Sequence, residues 1–136
     1  MINPFPNSKI LIVDDDTNVQ KSLKRLINKE NFVVQVACDG EDALSKITDF
    51  QPHCILLDIK MPYLNGKDTL KMIKFSYPTI EVIIISGINS SKINEDCLTD
   101  GAFSCVSKPV NFDFLFFQII QALELRLAKE AADEKP

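Results

Sequence analysis

A chain of 136 residues is the length of one domain and long enough to bury a real core. Its 46% hydrophobic and 25% charged residues are ordinary for a globular protein and argue against disorder, while a formal charge of −4 leaves no electrostatic footprint for direct nucleic-acid binding. No apolar stretch approaches the roughly 18 residues of a membrane span and no signal-peptide pattern follows Met1, so a cytoplasmic protein without membrane attachment is expected.

Residues 1–8 read as an N-terminal tail. The run Lys9-Ile10-Leu11-Ile12-Val13 predicts a strand, and it ends in Asp14-Asp15-Asp16. Helical spacing then puts Val19, Leu23, Leu26 and Ile27 on one face of 17–28, with Asp16 or Thr17 placed to cap the first turn. A second strand is predicted over 32–37, followed by a helix over 40–48 that carries Ala43, Leu44 and Ile47. The third apolar run, 53–57, ends in Asp58, and the helix after it, 67–75, offers Leu70, Met72 and Ile73. The fourth strand, 80–85, ends in Ser86; its helix, 91–99, offers only Ile93, Cys97 and Leu98. A last strand over 103–106 leads to Lys108-Pro109. The final helix starts at about 112 behind Asn111 as cap and carries Phe112, Leu115, Phe116, Ile119, Ile120, Leu123 and Leu127, leaving 129–136 as a polar C-terminal tail.

Five strand–helix units in strict alternation imply an α/β fold: a doubly wound parallel sheet, flavodoxin-like, with strand order 2-1-3-4-5 and helices on both faces. Several runs are continuous and β-branched, as strands buried on both faces should be. Ligands of such sheets bind beyond the carboxyl ends of the strands where the order reverses, so Asp14-Asp15-Asp16 and Asp58 meet at one edge. Converging carboxylates repel unless a cation sits among them, and oxygen-only ligands select Mg²⁺ or a similar ion over zinc. A carboxylate can itself accept a phosphoryl group, whose charge then needs a metal and an ammonium nearby. Lys108 reaches the same rim, and Ser86 can donate to a phosphoryl oxygen. One histidine, His53, is too few for a zinc site or a Ser-His triad, and Cys38, Cys54, Cys97 and Cys105 lack CxxC spacing and read as buried reduced thiols.

Taken singly, an Asp or Ser after a strand is a cap or a turn residue, and a lone Lys is solvated. Asp16 is read as a cap on that ground. Four such groups at the ends of four strands are a different matter. In sequence order, Ile-Leu-Ile-Val-Asp14-Asp15-Asp16, Ile-Leu-Leu-Asp58-Ile-Lys-Met61-Pro62-x-x-x-Gly66, Ile-Ile-Ile-Ser86-Gly87 and Gly101-Ala102-Phe103-x-x-x-x-Lys108-Pro109 resemble the receiver domain of response regulators in two-component signalling, chemotaxis-protein-like receivers among them. The resemblance runs from residue 9 to about 125, within a receiver domain drawn over 9–128. It implies that Asp58 accepts a phosphoryl group from the phosphohistidine of a sensor histidine kinase or phosphotransfer protein. It implies that Asp14, Asp15 and Asp58, with the backbone carbonyl of Lys60, hold Mg²⁺, that Ser86 and Lys108 bind phosphoryl oxygens, and that Lys108-Pro109 is a cis-peptide candidate. Such a protein is no enzyme towards a separate substrate; it catalyses only its own phosphorylation and dephosphorylation.

One position departs from the family. Receivers usually carry Tyr or Phe three residues before the lysine, where this chain has Cys105. Strand alternation would put Phe103 on the same face as Cys105, where it could stand in for the missing ring. The output expected from the resemblance lies on the face of the fourth helix, fifth strand and fifth helix, through homodimer formation or partner binding. Two rival readings share the chemistry or the fold. A haloacid-dehalogenase-like phosphohydrolase would use Asp14, but its motif fails at Asn18; a flavodoxin-like binder would meet repulsion between Asp14-Asp15-Asp16 and its ligand's phosphate. No effector domain follows residue 130 in this sequence, which leaves a stand-alone receiver and a piece of a longer protein both open.

Overall fold

The computed structural model describes residues 2–59, 65–87 and 91–133. In chain order the elements are β1 (Lys9–Val13), α1 (Thr17–Lys29), β2 (Val33–Ala37), α2 (Gly40–Phe50), β3 (Cys54–Asp58), α3 (Gly66–Ser76), β4 (Glu81–Ser86), α4 (Ser91–Thr99), β5 (Ser104–Ser107) and α5 (Phe112–Asp133). All four strand pairings are parallel, in the order β2-β1-β3-β4-β5. This is the predicted doubly wound sheet.

Side-chain alternation divides the core into two layers. Leu11, Val13, Ile55, Leu57, Val82 and Ile84 meet α2, α3 and α4 on one face. Ile10, Ile12, Leu56, Ile83, Ile85 and Val106 meet α1 and α5 on the other. The central strands are buried on both sides, which is why they read as unbroken apolar runs. Edge strand β2 leaves Val33 exposed. The last four strands each begin one residue after their apolar run. Phe32 and Ile80 are buried just before the strands, so hydrophobicity reported burial there rather than strand membership.

Described residues of both expected tails make defined contacts with the rest of the chain. Asn7 N–H donates to Asn31 O at 2.8 Å, Asn3 Nδ2 to Glu30 O at 2.8 Å, and Phe5 packs on the α1–α5 layer. At the other end α5 runs on as far as Asp133, and Lys129 within it reaches a buried carboxylate: its Nζ lies 2.6 Å from Glu81 Oε1, at the start of β4. Lys74, from α3, approaches the same carboxylate at 3.8 Å. Leu26, Met72, Leu98 and Leu127, expected on packed faces, are exposed. Only Cys97 of α4 is buried. Cys38, just past β2, is exposed rather than buried, while Cys54 and Cys97 are buried as expected.

His53 sits where β1 and β3 begin. Its Nδ1 accepts from Lys9 N–H at 2.8 Å, so the imidazole folds neutral. Burial lowers its pKa, the positive charges of Arg126 and Lys9 lower it further, and Glu130 opposes them. Above the unfolded pKa of about 6.5 both states are neutral and His53 costs nothing. As pH falls below that value the unfolded chain binds the proton first, and stability is lost until the folded pKa is passed. The urea midpoint should therefore drop between about pH 7.5 and 5.5, and drop less in His53→Gln. Equal drops in the two proteins would refute the assignment.

Candidate functional site

The site is built at the carboxyl ends of β1, β3, β4 and β5. Asp58 and Ser86 are the last residues of their strands and both are buried. Asp14 follows β1 directly; its N–H donates to Ala37 O at 3.1 Å, and it too is buried, at 3% exposure. Asp15 is exposed. Carboxylate oxygens of Asp14, Asp15 and Asp58 lie within 4.8 Å of one another, the one such cluster among the described residues. Two buried carboxylates this close need a cation, and Lys108 supplies one: its Nζ stands 3.2 Å from Asp14 Oδ2 and 3.4 Å from Asp58 Oδ2. Burial pulls the Lys108 ammonium down, but the hydrogen bond to Asp14 and the charges of Asp58 and Asp14 outweigh it, and the net shift is upward. Lys108 N–H donates to Ser86 O at 2.8 Å, which anchors the lysine's backbone beside the end of β4. The Lys108–Pro109 peptide is cis.

Asp16 turns away from this cluster. Its carboxylate accepts from Asn18 N–H and Val19 N–H as the N-cap of α1, and its own N–H donates to Asp14 Oδ1 at 2.9 Å. The cap reading holds. On the other side, α3 begins directly over the Asp58–Ile59 backbone. Gly66 N–H donates to Ile59 O at 3.0 Å, and a Cβ built on Gly66 would stand 2.4 Å from Ile59 Cα and 2.5 Å from Asp58 O.

The response regulator receiver domain pattern matches residues 10–120. The chain belongs to the response regulator receiver family. Among relatives, the protein-glutamate methylesterase/protein-glutamine glutaminase of Trichodesmium erythraeum is 37% identical over 111 residues, 79% of this chain and 32% of that protein. The regulatory protein AtoC of Escherichia coli is 32% identical over 123 residues, covering 90% of this chain and 27% of AtoC. This receiver thus spans about a third or less of either relative's length. The CheY-like receiver domain protein of Methanospirillum hungatei superposes with a TM-score of 0.86 at 30% identity, covering 90% of this chain and 98% of that one. With the receiver family established, the phosphohydrolase and flavodoxin-like readings are not favoured.

The remaining expected receiver positions divide. Lys60 lies outside the described residues. Cys105 packs on the α2–α4 layer, its Sγ 3.9 Å from Asn94 O of α4, and burial, then the neighbouring Cys97, pushes its thiol up to about 11. Phe103 packs on the opposite, α1–α5 layer, so it does not share a face with Cys105. Alternation holds only inside a strand, and Phe103 precedes the first residue of β5. One residue of the site went unnoticed in the sequence. Gln20 is buried on the inner face of α1, and its Nε2 donates to the carbonyls of Asp14 and Ala37. The available signal was a polar side chain at the i, i+3, i+7 spacing shared with Leu23 and Ile27.

Proposed function

We propose that Asp58 is the phosphoryl acceptor of this receiver, taking the group from a phosphohistidine on a histidine kinase or phosphotransfer protein. An Asp58 carboxylate oxygen attacks phosphorus, the P–N bond breaks, and the imidazole nitrogen keeps the electron pair. The observation that carries this reading is the convergence of Asp58 with Asp14, Asp15 and Lys108 at the switch point of the sheet. The donor set is all oxygen and two of the three carboxylates are buried, which fits Mg²⁺ held by Asp14, Asp15, Asp58 and the carbonyl of Lys60. Bound there, the ion offsets charge on the phosphoryl oxygens. Lys108, already between two carboxylates, moves to a phosphoryl oxygen as a point charge on a flexible stem, and Ser86 donates to another.

Output runs through the α4–β5–α5 face, by dimerisation or by recruiting a partner, with Ser86 as the local trigger. Support comes from α4, which buries only Cys97 and so has little holding it. Cys105 and Phe103, on opposite layers, leave that trigger without the ring that receivers usually carry. The protein works where no membrane span is needed; no helix among the described residues is long and apolar enough to cross one.

The metal reading predicts a thermal shift. Filling a site that only the folded chain presents stabilises by mass action, about 2.7 kcal/mol at a hundredfold excess over Kd. Mg²⁺ should raise the melting temperature of the wild type and leave Asp15→Ala nearly unmoved. A rise of equal size in both proteins would place the ion elsewhere.

A further inference from the structure

The acidic segment between β1 and α1 must hold three carboxylates at fixed angles, and those side chains repel one another. What fixes its backbone is therefore a question separate from which residues bind the ion. Asp14 N–H is tied to Ala37 O at 3.1 Å, and Asp16 is tied by its cap and by Asp14 Oδ1. The Asp14 carbonyl, which sets the orientation of the Asp14–Asp15 peptide, is held by the Gln20 side chain.

We propose that Gln20 is a positioning residue for the acidic site: its amide fixes the Asp14 carbonyl and so aims the Asp15 carboxylate. The inference rests on the metal reading above and adds a residue to it. Gln20 is 8% exposed, and its Nε2 donates to two carbonyls, those of Asp14 and, at 3.3 Å, Ala37. Both acceptors are backbone oxygens, which can only accept, so the NH₂ end of the amide must face them. The same residue's backbone N–H donates to Asp16 O at 3.0 Å. Gln20 thus grips the segment at both ends, Asp14 by its side chain and Asp16 by its main chain, with Asp15 between.

The residue type follows from the chemistry. Two carbonyls need two N–H donors from one group, which a carboxamide has. Glu would aim a carboxylate at two carbonyl oxygens, and Lys or Arg would add a positive charge beside the three carboxylates and compete with the ion. Met matches Gln in length and has no donor. Groups that orient metal ligands without touching the metal are worth roughly 10–100-fold in affinity.

The test is Mg²⁺ titration of the whole chain followed by amide resonances, comparing wild type, Gln20→Met and Ile27→Val, the last a conservative core change on the same helix. Gln20→Met should bind Mg²⁺ at least about tenfold more weakly, and Ile27→Val should bind like the wild type. Before any metal is added, Gln20→Met should shift the amides of Asp14, Asp15, Asp16 and Cys38. Wild-type affinity in Gln20→Met, equal weakening in Ile27→Val, or shifts confined to the middle of α1 would each overturn the proposal. If Gln20→Met fails to fold, the wild type decides. The Gln20 side-chain NH₂ should exchange with solvent far more slowly than that of exposed Gln35, and equal exchange means that the two hydrogen bonds are absent. A wild type that ignores Mg²⁺ would sink the metal reading instead, and the metal-free shifts would then judge Gln20's hold on the segment alone.

Discussion

After incubation with acetyl phosphate and Mg²⁺, the wild type is expected to gain the mass of one phosphoryl group and Asp58→Asn to gain none. The substitution keeps the shape of the side chain and removes the only carboxylate at the end of β3, so the loss should be complete rather than partial. It should not come from unfolding. In the metal-free site two buried carboxylates both face the ammonium of Lys108, at 3.2 Å and 3.4 Å. Replacing one by a neutral amide removes a like-charge repulsion. The melting temperature of Asp58→Asn without metal should therefore equal or exceed that of the wild type, while its response to Mg²⁺ shrinks. A phosphorylated Asp58→Asn would move the acceptor to another carboxylate, with Asp14 the next in line by geometry. Loss of phosphorylation together with a large fall in melting temperature would leave the acceptor assignment without support.

Gly66→Ala is expected to damage both fold and site. In an ordinary helix interior the change would gain about 1 kcal/mol of helix propensity. Here the added Cβ meets Ile59 Cα at 2.4 Å, Asp58 O at 2.5 Å and Ile59 O at 2.8 Å, all of them backbone atoms with no rotamer to yield. Overpacking costs about 1–3 kcal/mol where side chains can adjust, and backbone contacts this short belong at or above the upper end. The clash therefore wins over propensity. Reaching ordinary contact at 3.4 Å takes a displacement of about 1.0 Å at Ile59 Cα, next to the proposed acceptor. A misplacement of that size can cost about 100-fold in rate. Chemical denaturation and the rate of phosphorylation from acetyl phosphate would measure the two effects separately. Wild-type values in both would show that α3 does not approach Asp58 this closely in solution.

The fold was legible because its signals are local. Alternation of buried strands with one-sided helices leaves few topologies, and right-handed crossovers leave fewer. The acidic, hydroxyl and amine groups were legible by position, each at the end of a strand. Helix caps were legible too: Asp16 and Asn111 accept from the first turns of α1 and α5. Element ends were less so, since Phe32 and Ile80 are apolar for reasons of burial alone.

By itself, then, the sequence determined the sheet, its order and the meeting of Asp14, Asp15, Asp58 and Lys108 at one edge. Periodicity and chirality act through near neighbours in the chain, and those are written in the sequence. What only the tertiary structure decided depends on residues far apart. Lys108 lies 94 positions from Asp14, and whether it bridges both carboxylates or only one is set by where β5 ends against β1 and β3. Phe103 and Cys105 fall on opposite layers because the ladder of β5 starts between them. Lys129, past the apolar stripe of α5, reaches a buried Glu81 48 positions earlier, which Lys74 also approaches. Gln20 faces the core because two backbone carbonyls from different strand ends converge on it. For Lys108, Lys129 and Gln20 the deciding force is the cost of a buried charge or polar group without a partner, and only the folded chain determines which partner is in reach.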